Sequence, residues 1–201
     1  MSYVIFGAGG FGAEVYNWLG RIDVAAFYAE TSSKKELFGV PIITDLVELL
    51  WLTNIQFITA VGDPNLKEKF NNKALSIGLQ PCRGFIYQNV VWGIENSLGD
   101  NSIICPNTTV TTRVKIGYGC TVNIHCTIGH DAVIGDFTTL HPDANISGNV
   151  EIGKRVVVGC NACIREKIKI VDDVIIGMGS VVIKDILESG VYVGNPLKKI
   201  R

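Results

Sequence analysis

The chain has three histidines, all between positions 125 and 141. The segment that holds two of them reads Asn123-Ile124-His125-Cys126-Thr127-Ile128-Gly129-His130-Asp131-Ala132-Val133-Ile134-Gly135-Asp136-Phe137. His130 directly follows a glycine, at a corner from which a side chain can project. Asp131 follows at once, and a carboxylate beside an imidazole can orient the ring and raise its basicity, as it does for a general-base histidine. Gly148 lies eighteen residues beyond His130. If the chain repeats with that spacing, a side chain at 148 would fill the space over the imidazole. Glycine leaves that space open and exposes a backbone N–H, a candidate oxyanion donor next to a candidate base. The bland alternative is that His130 and Asp131 form a solvated corner.

The elements that must position these residues are written as a ladder. From Leu98 in steps of six, every residue is aliphatic: Leu98, Ile104, Val110, Ile116, Val122, Ile128, Ile134, Leu140, Ile146, Ile152, Val158, Ile164, Ile170, Ile176 and Val182. Positions two before each rung are small, β-branched or otherwise compact, Cys120, Ala132 and Ala144 among them. A period of six is neither helical nor that of a plain strand, so one residue per face of a repeating coil turns inward and the chain is a solenoid. Seven rungs are followed by Gly, which predicts a tight corner after each short strand. These features resemble the hexapeptide-repeat family, which implies a left-handed parallel β-helix with three six-residue faces per coil. Residues eighteen apart then stack, roughly 4.8 Å apart along the axis. A passive spacer could carry the same ladder.

The N-terminal half has a different pattern. Tyr3 to Phe6 is an apolar strand that leads into Gly7-Ala8-Gly9-Gly10-Phe11-Gly12 and a helix over Ala13 to Leu19. This is G-x-G-x-x-G between strand and helix, where glycines let the backbone approach a diphosphate at the helix N-terminus. A purely structural tight turn is the competing reading. Val24 to Tyr28 reads as the next strand, followed by Ala29-Glu30, with the acid where a ribose-binding carboxylate would lie. Asp45-Leu46-Val47-Glu48 has capping-box spacing and predicts a helix to about Leu52. Ile55 to Val61 predicts a third strand, and Asp63-Pro64 starts a helix to about Ile77. The result is a Rossmann-like βαβαβα half-domain over 1–80, too small to hold NAD in the usual two-halved manner, followed by the β-helix over 81–201. Ile86 and Trp92 already keep the ladder's register.

The formal net charge of −1 and the absence of a basic run argue against a nucleic-acid surface. No apolar run approaches a membrane span, and the N-terminus lacks the basic start of a signal peptide, so a cytoplasmic protein without membrane insertion is expected. The cysteines are 82, 105, 120, 126, 160 and 163. Cys120 and Cys126 fall on inward positions and read as packing residues. Cys160-Asn161-Ala162-Cys163 has redox or zinc spacing, but lacks a second pair and lies inside the repeat, so no metal is expected.

Taken together, the glycine-rich N-terminal half, His130-Asp131 followed by Ile134-Gly135-Asp136-Phe137, and the ending Val193-Gly194-Asn195-Pro196-Leu197-Lys198 resemble the NeuD/PglD-type bacterial sugar acetyltransferases over nearly the whole chain. The resemblance implies that His130 is the base with Asp131 as its acidic partner, and that Asn123 matches a site asparagine. It implies acetyl-CoA in a groove between subunits of a homotrimer, near backbone amides of Gly148, Cys160 and Met178. It also implies a UDP-sugar held by the N-terminal domain, with Gly9, Gly10 and Gly12 near the phosphates and Glu30 near the nucleoside. Many relatives carry two acids where this chain has Ala29-Glu30. Lys184, Lys198, Lys199 and Arg201 could meet CoA phosphates, or form a frayed basic tail.

The leading expectation is acetyl transfer to the 4-amine of a UDP-linked 4-amino-4,6-dideoxy sugar of the bacillosamine type, by direct attack with no cysteine nucleophile. O-acetylation of a sialic-acid-like sugar uses the same machinery. A gamma-type carbonic anhydrase is a weaker alternative: His125 and His130 have suitable spacing, but no histidine precedes His125 to complete three ligands, and His141 lies on the wrong side. A non-catalytic binding scaffold is the third class.

Overall fold

The structure is a computed structural model that describes residues 2–20 and 24–201. It divides into two compact units, Met1–Arg83 and Gly84–Arg201.

In the first unit, β1 (Ser2–Phe6) leads into α1 (Gly10–Trp18), β2 (Val24–Tyr28), β3 (Glu36–Leu37) and β4 (Val40–Ile43). A 3₁₀ turn (Leu46–Trp51), β5 (Ile55–Thr59), α2 (Pro64–Ser76) and β6 (Gln80–Pro81) complete it. The sheet order is β3-β4-β2-β1-β5-β6, parallel except for the β3–β4 hairpin. Placing β1 between β2 and β5 puts the glycine turn at the C-terminal edge of the central strand. The core there is aromatic: Phe6 lies 4.7 Å from Tyr28 and 5.7 Å from Phe57, ring centre to ring centre. Asp63 caps α2 by accepting from Leu66 N–H at 2.8 Å, with Pro64 at the first turn.

The structure departs from the sequence-based expectation at two places in this unit. Asp45 does act as a cap, accepting from Val47 N–H at 3.0 Å, but it opens a 3₁₀ turn rather than an α-helix. Six residues close too few i→i+4 bonds to offset nucleation, so the tighter turn wins. The β3–β4 hairpin was not expected, because two- and four-residue strands give no readable alternation.

The second unit is a left-handed parallel β-helix. Three sheets form its walls. The first runs from Phe85–Ile86 through Thr121–Val122 to Gly190–Val193, the second from Val91–Trp92 through Thr127–Ile128 to Val181–Val182, and the third from Ser97–Leu98 through Val133–Ile134 to Lys169–Ile170. Each strand pairs with the strand eighteen residues away, as in Thr127↔Asn145 and Ile128↔Ile146. Every rung from Ile104 to Val182 is buried, and so is every position two before it.

The corner glycines have a different reason from the one expected. The left-handed backbone falls three residues after each rung from Leu98 to Ile176 and is mostly not glycine: Asn107, Arg113, His125, Asp131, Asp143 and Asn149 all have φ between 56° and 61°. The glycine directly after the rung is needed because coils stack closely. A Cβ at Gly129 would lie 2.5 Å from Gly148 N, and one at Gly135 would lie 2.5 Å from the Gly153 carbonyl.

The basic tail is not frayed. Lys198–Lys199 pairs antiparallel with Gly190–Val193, and Val191 N–H donates to the Arg201 carbonyl at 3.0 Å. This hairpin closes the last coil, whose edge would otherwise expose unpaired backbone groups.

Candidate active site

His130 sits two residues after rung Ile128, on the edge between the second and third sheets. Its side chain is 57% exposed, and Nδ1 is 2.7 Å from Asp131 Oδ2. Asp131 is in the left-handed conformation with φ 61°, which aspartate tolerates because its short polar side chain bonds locally. That backbone turns its carboxylate back along the edge to the ring it follows. With Nδ1–H donating to Asp131, Nε2 is left bare and faces the next coil.

Gly148 is the residue it faces. A Cβ there would stand 2.7 Å from Nε2 and 2.8 Å from Cε1, so the ring occupies the space that any side chain at 148 would need. Among the described residues, no backbone carbonyl takes the Gly148 N–H. The arrangement brings a base nitrogen and a backbone donor together on one edge of the coil.

Sequence reasoning missed Arg113. Its guanidinium grips Asp131 with two bonds, Nε to Oδ1 at 2.7 Å and Nη2 to Oδ2 at 3.0 Å. That bidentate pair, with His130 second, holds the Asp131 carboxyl well below its usual range, at about 2. Arg113 is eighteen residues before Asp131 and shares its left-handed corner position. The coil period was therefore a sufficient signal.

The remaining candidates separate by edge. Asn123, Cys160 and Met178 lie on the edge between the first and second sheets, one face away from His130. Cys160 and Met178 do stack: Gly179 N–H donates to the Cys160 carbonyl at 2.8 Å, and Met178 is 79% exposed. The Asn123 carboxamide accepts from Ile124 N–H at 2.7 Å, a local bond that does not approach His130. His125 is on that same edge, with Nε2 3.3 Å from Asn107 and Nδ1 3.6 Å from Asp143. Among the described residues, no group of three or more His, Cys, Asp or Glu side chains converges on a metal position. Lys184 continues the line His130, Gly148, Glu166 upward in steps of eighteen, which places it about 14 Å from His130. With Asp185, Tyr192, Leu197 and Lys199 it borders a cavity of about 290 Å³.

In the first unit the glycine motif divides into two kinds. A Cβ at Gly12 would collide with the Gly7 carbonyl oxygen, and Gly7 has φ 131°; these two are required by the turn itself. Gly9 and Gly10 are exposed, and a Cβ at either would meet nothing within 4 Å. Packing therefore gives no reason for glycine there. Glu30 follows β2 and is held by Lys69, at 2.8 Å, and by Lys73, both from α2. Their bonds pull its carboxyl below the usual range.

The family of PglD N-terminal domains matches residues 3–74, and the bacterial transferase hexapeptide family, six repeats, matches residues 131–166. In these two segments the chain is similar to the NeuD/PglD-type sugar acetyltransferases. GDP-perosamine N-acetyltransferase of Escherichia coli O157:H7 is 27% identical over 174 residues, covering 82% of this chain and 78% of that one. WeeI from Acinetobacter baumannii AYE superposes with a TM-score of 0.91 at 28% identity, over 100% of both chains. PerB from Caulobacter crescentus, solved with CoA and GDP-perosamine, gives 0.89 at 26% identity, over 100% of this chain and 98% of that one. No helix among the described residues is long and apolar enough to cross a membrane.

Proposed function

We propose that this chain transfers the acetyl group of acetyl-CoA to the 4-amine of a nucleotide-linked 4-amino-4,6-dideoxy sugar. The observation that carries this reading is the His130 ring, oriented by Asp131 at 2.7 Å and lying directly under Gly148. The amine nitrogen attacks the thioester carbonyl while His130 Nε2 takes its proton. The carbonyl oxygen becomes an oxyanion, and Gly148 N–H stabilises it. As the intermediate collapses the C–S bond breaks, and the CoA thiolate leaves with the proton that the imidazolium returns. No covalent enzyme intermediate forms. Cys126, whose buried thiol is pushed up to about 12, fits that absence of thiol chemistry.

The sugar nucleotide is assigned to the first unit, its diphosphate at Gly9 and Gly10, with Gly12 shaping the turn and Glu30 near the nucleoside. Uridine is the nucleoside we propose. The similar proteins from E. coli and C. crescentus are named for GDP-perosamine, which makes the guanosine sugar the second reading. Lys184 and its cavity are assigned to the phosphates of CoA. All six cysteines are free, in keeping with a reducing cytoplasm.

The division by edges supports a homotrimer with sites between subunits. The second sheet separates the edge of His130 and Gly148 from the edge of Asn123, Cys160 and Met178. Its outward column, Val91, Thr109, Thr127, Asn145, Cys163 and Val181, carries no charge. The third sheet instead presents Lys115, Glu151 and Lys169, with an ion pair of 3.1 Å between the last two. Three copies packed through their second sheets would set one edge of each chain against the other edge of its neighbour, completing the groove.

The test is incubation with acetyl-CoA and a panel of UDP- and GDP-linked 4-amino sugars, followed by mass spectrometry, with His130→Ala in parallel. One acetyl added to one amine and lost in the variant is the expected result. Acetylation of hydroxyl acceptors alone, or turnover undiminished in His130→Ala, would overturn it.

A further inference from the structure

We infer that Arg113 is a positioning residue for the base: it locks the Asp131 carboxylate so that His130 keeps one tautomer and one ring orientation, and it balances the charge that Asp131 places beside the ring. The inference rests on the reading of His130 as the base.

The geometry comes from the coil. Arg113 and Asp131 occupy the same left-handed corner position on consecutive coils, with φ 56° and 61°, so their side chains leave the edge in parallel and meet. Both carboxylate oxygens are taken by the guanidinium, at 2.7 and 3.0 Å, and Oδ2 also faces His130 Nδ1 at 2.7 Å. A carboxylate bound by a planar fork cannot rotate, and a fixed Oδ2 fixes the Nδ1–H tautomer that leaves Nε2 free. The electrostatic part runs the same way. The guanidinium offsets the negative charge that the carboxylate places beside the ring. The other charged groups around the pair are Glu95 and Lys115, which share a surface depression with Arg113 and Asp131, and Glu166 and Lys167 from the coils above. The side-chain bonds to Asp131 come from Arg113, through two of its nitrogens, and from His130, rather than from any of these four.

The molecule carries its own control. Arg155 and Asp173 repeat the same arrangement, eighteen apart, at 2.7 and 2.8 Å, on the edge between the third and first sheets, where no histidine stands beside the aspartate. A stability role alone predicts that the two pairs respond alike.

The experiment uses the full-length protein and its Arg113→Gln, Arg113→Lys, Arg155→Gln and His130→Gln variants. Two readouts are taken: nitrogen-detected NMR of the histidine rings against pH, and kcat and KM for acetyl-CoA against pH with the sugar nucleotide that the acceptor panel identifies. In Arg113→Gln the His130 ring should lose its single-tautomer signature. Its kcat should fall about ten-fold, with KM within about two-fold. Arg113→Lys should still lose the tautomer signature, because the charge remains but the fork is gone. Arg155→Gln should change neither readout. Unaltered ring signals in Arg113→Gln, or equal effects from Arg113→Gln and Arg155→Gln, would overturn the inference. If His130→Gln keeps full turnover while Arg113→Gln still alters the ring, the reading of His130 as the base fails and the positioning of its ring by Arg113 stands.

Discussion

The proposed chemistry rests on a single imidazole, a single carboxylate and a missing side chain. His130 is more than half exposed and belongs to no core, so His130→Ala should abolish turnover by about a thousand-fold or more while the thermal unfolding temperature stays within a degree or two. Gly148→Ala tests the same edge differently. Its Cβ would press on Nε2, so the ring must turn away from Asp131, and kcat should fall about a hundred-fold in a protein whose circular dichroism is unchanged. The Asp131 carboxyl is held at about 2 in the fold, below its ordinary value of about 3.9 in an unfolded chain. Its partners therefore contribute stability that is complete above that ordinary value and is lost as pH falls toward about 2. The expected outcome is that Asp131→Asn is less stable than the parent at neutral pH in denaturant titrations, and that the difference closes between about pH 4 and about pH 2.

At the scale of the element, the glycine turn after β1 separates two jobs that look identical in the sequence. Gly12→Ala drives a methyl into the Gly7 carbonyl and should unfold the first unit, seen as loss of its helical signal. Gly10→Ala meets no protein atom, so the unit should fold normally and lose affinity for the sugar nucleotide by calorimetry, at least about ten-fold if the backbone there approaches a diphosphate. In the solenoid the same logic applies to the coil. Rung Ile128 is fully buried directly beneath the His130 corner, and Ile128→Ala should cost about 2–5 kcal/mol in stability, because a stack of coils has few ways to collapse around a void.

For the whole molecule, the proposed groove shared between two edges predicts that activity depends on assembly. Thr127→Lys places a charge in the neutral column of the second sheet, at an exposed position that leaves the coil intact. Sedimentation velocity should show trimers for the parent and monomers for the variant, with acetyl transfer lost in the latter although His130, Asp131 and Gly148 are untouched. Cys163 gives an independent readout from the same column. Its thiol is exposed in one chain and should react slowly with a thiol reagent in the parent and quickly in Thr127→Lys. Cys126 should resist the reagent in both until the protein unfolds. A parent that sediments as a monomer and remains active would overturn the shared-groove reading.

The solenoid was legible from sequence because its rule is local: an aliphatic residue every six positions is written into the chain, and the burial of rungs such as Ile128 and Val158 results from it. The pairing of His130 with Asp131 was legible for the same reason, since adjacent residues at a corner need no long-range information. The eighteen-residue period also placed Gly148 over the imidazole, and by the same arithmetic it could have placed Arg113 under Asp131. The choice between structural and open glycines at Gly7, Gly9, Gly10 and Gly12 was not in the sequence, because only the approach of Ala60 and of Gly7 itself distinguishes them. Nor were the 3₁₀ turn at Leu46–Trp51 and the folded tail, where short segments take the conformation their neighbours in space allow. Sequence by itself therefore determined what repeats and what is adjacent. Tertiary structure decided which atoms from separate coils touch, since that depends on the closing of each corner and on which of three edges a residue occupies.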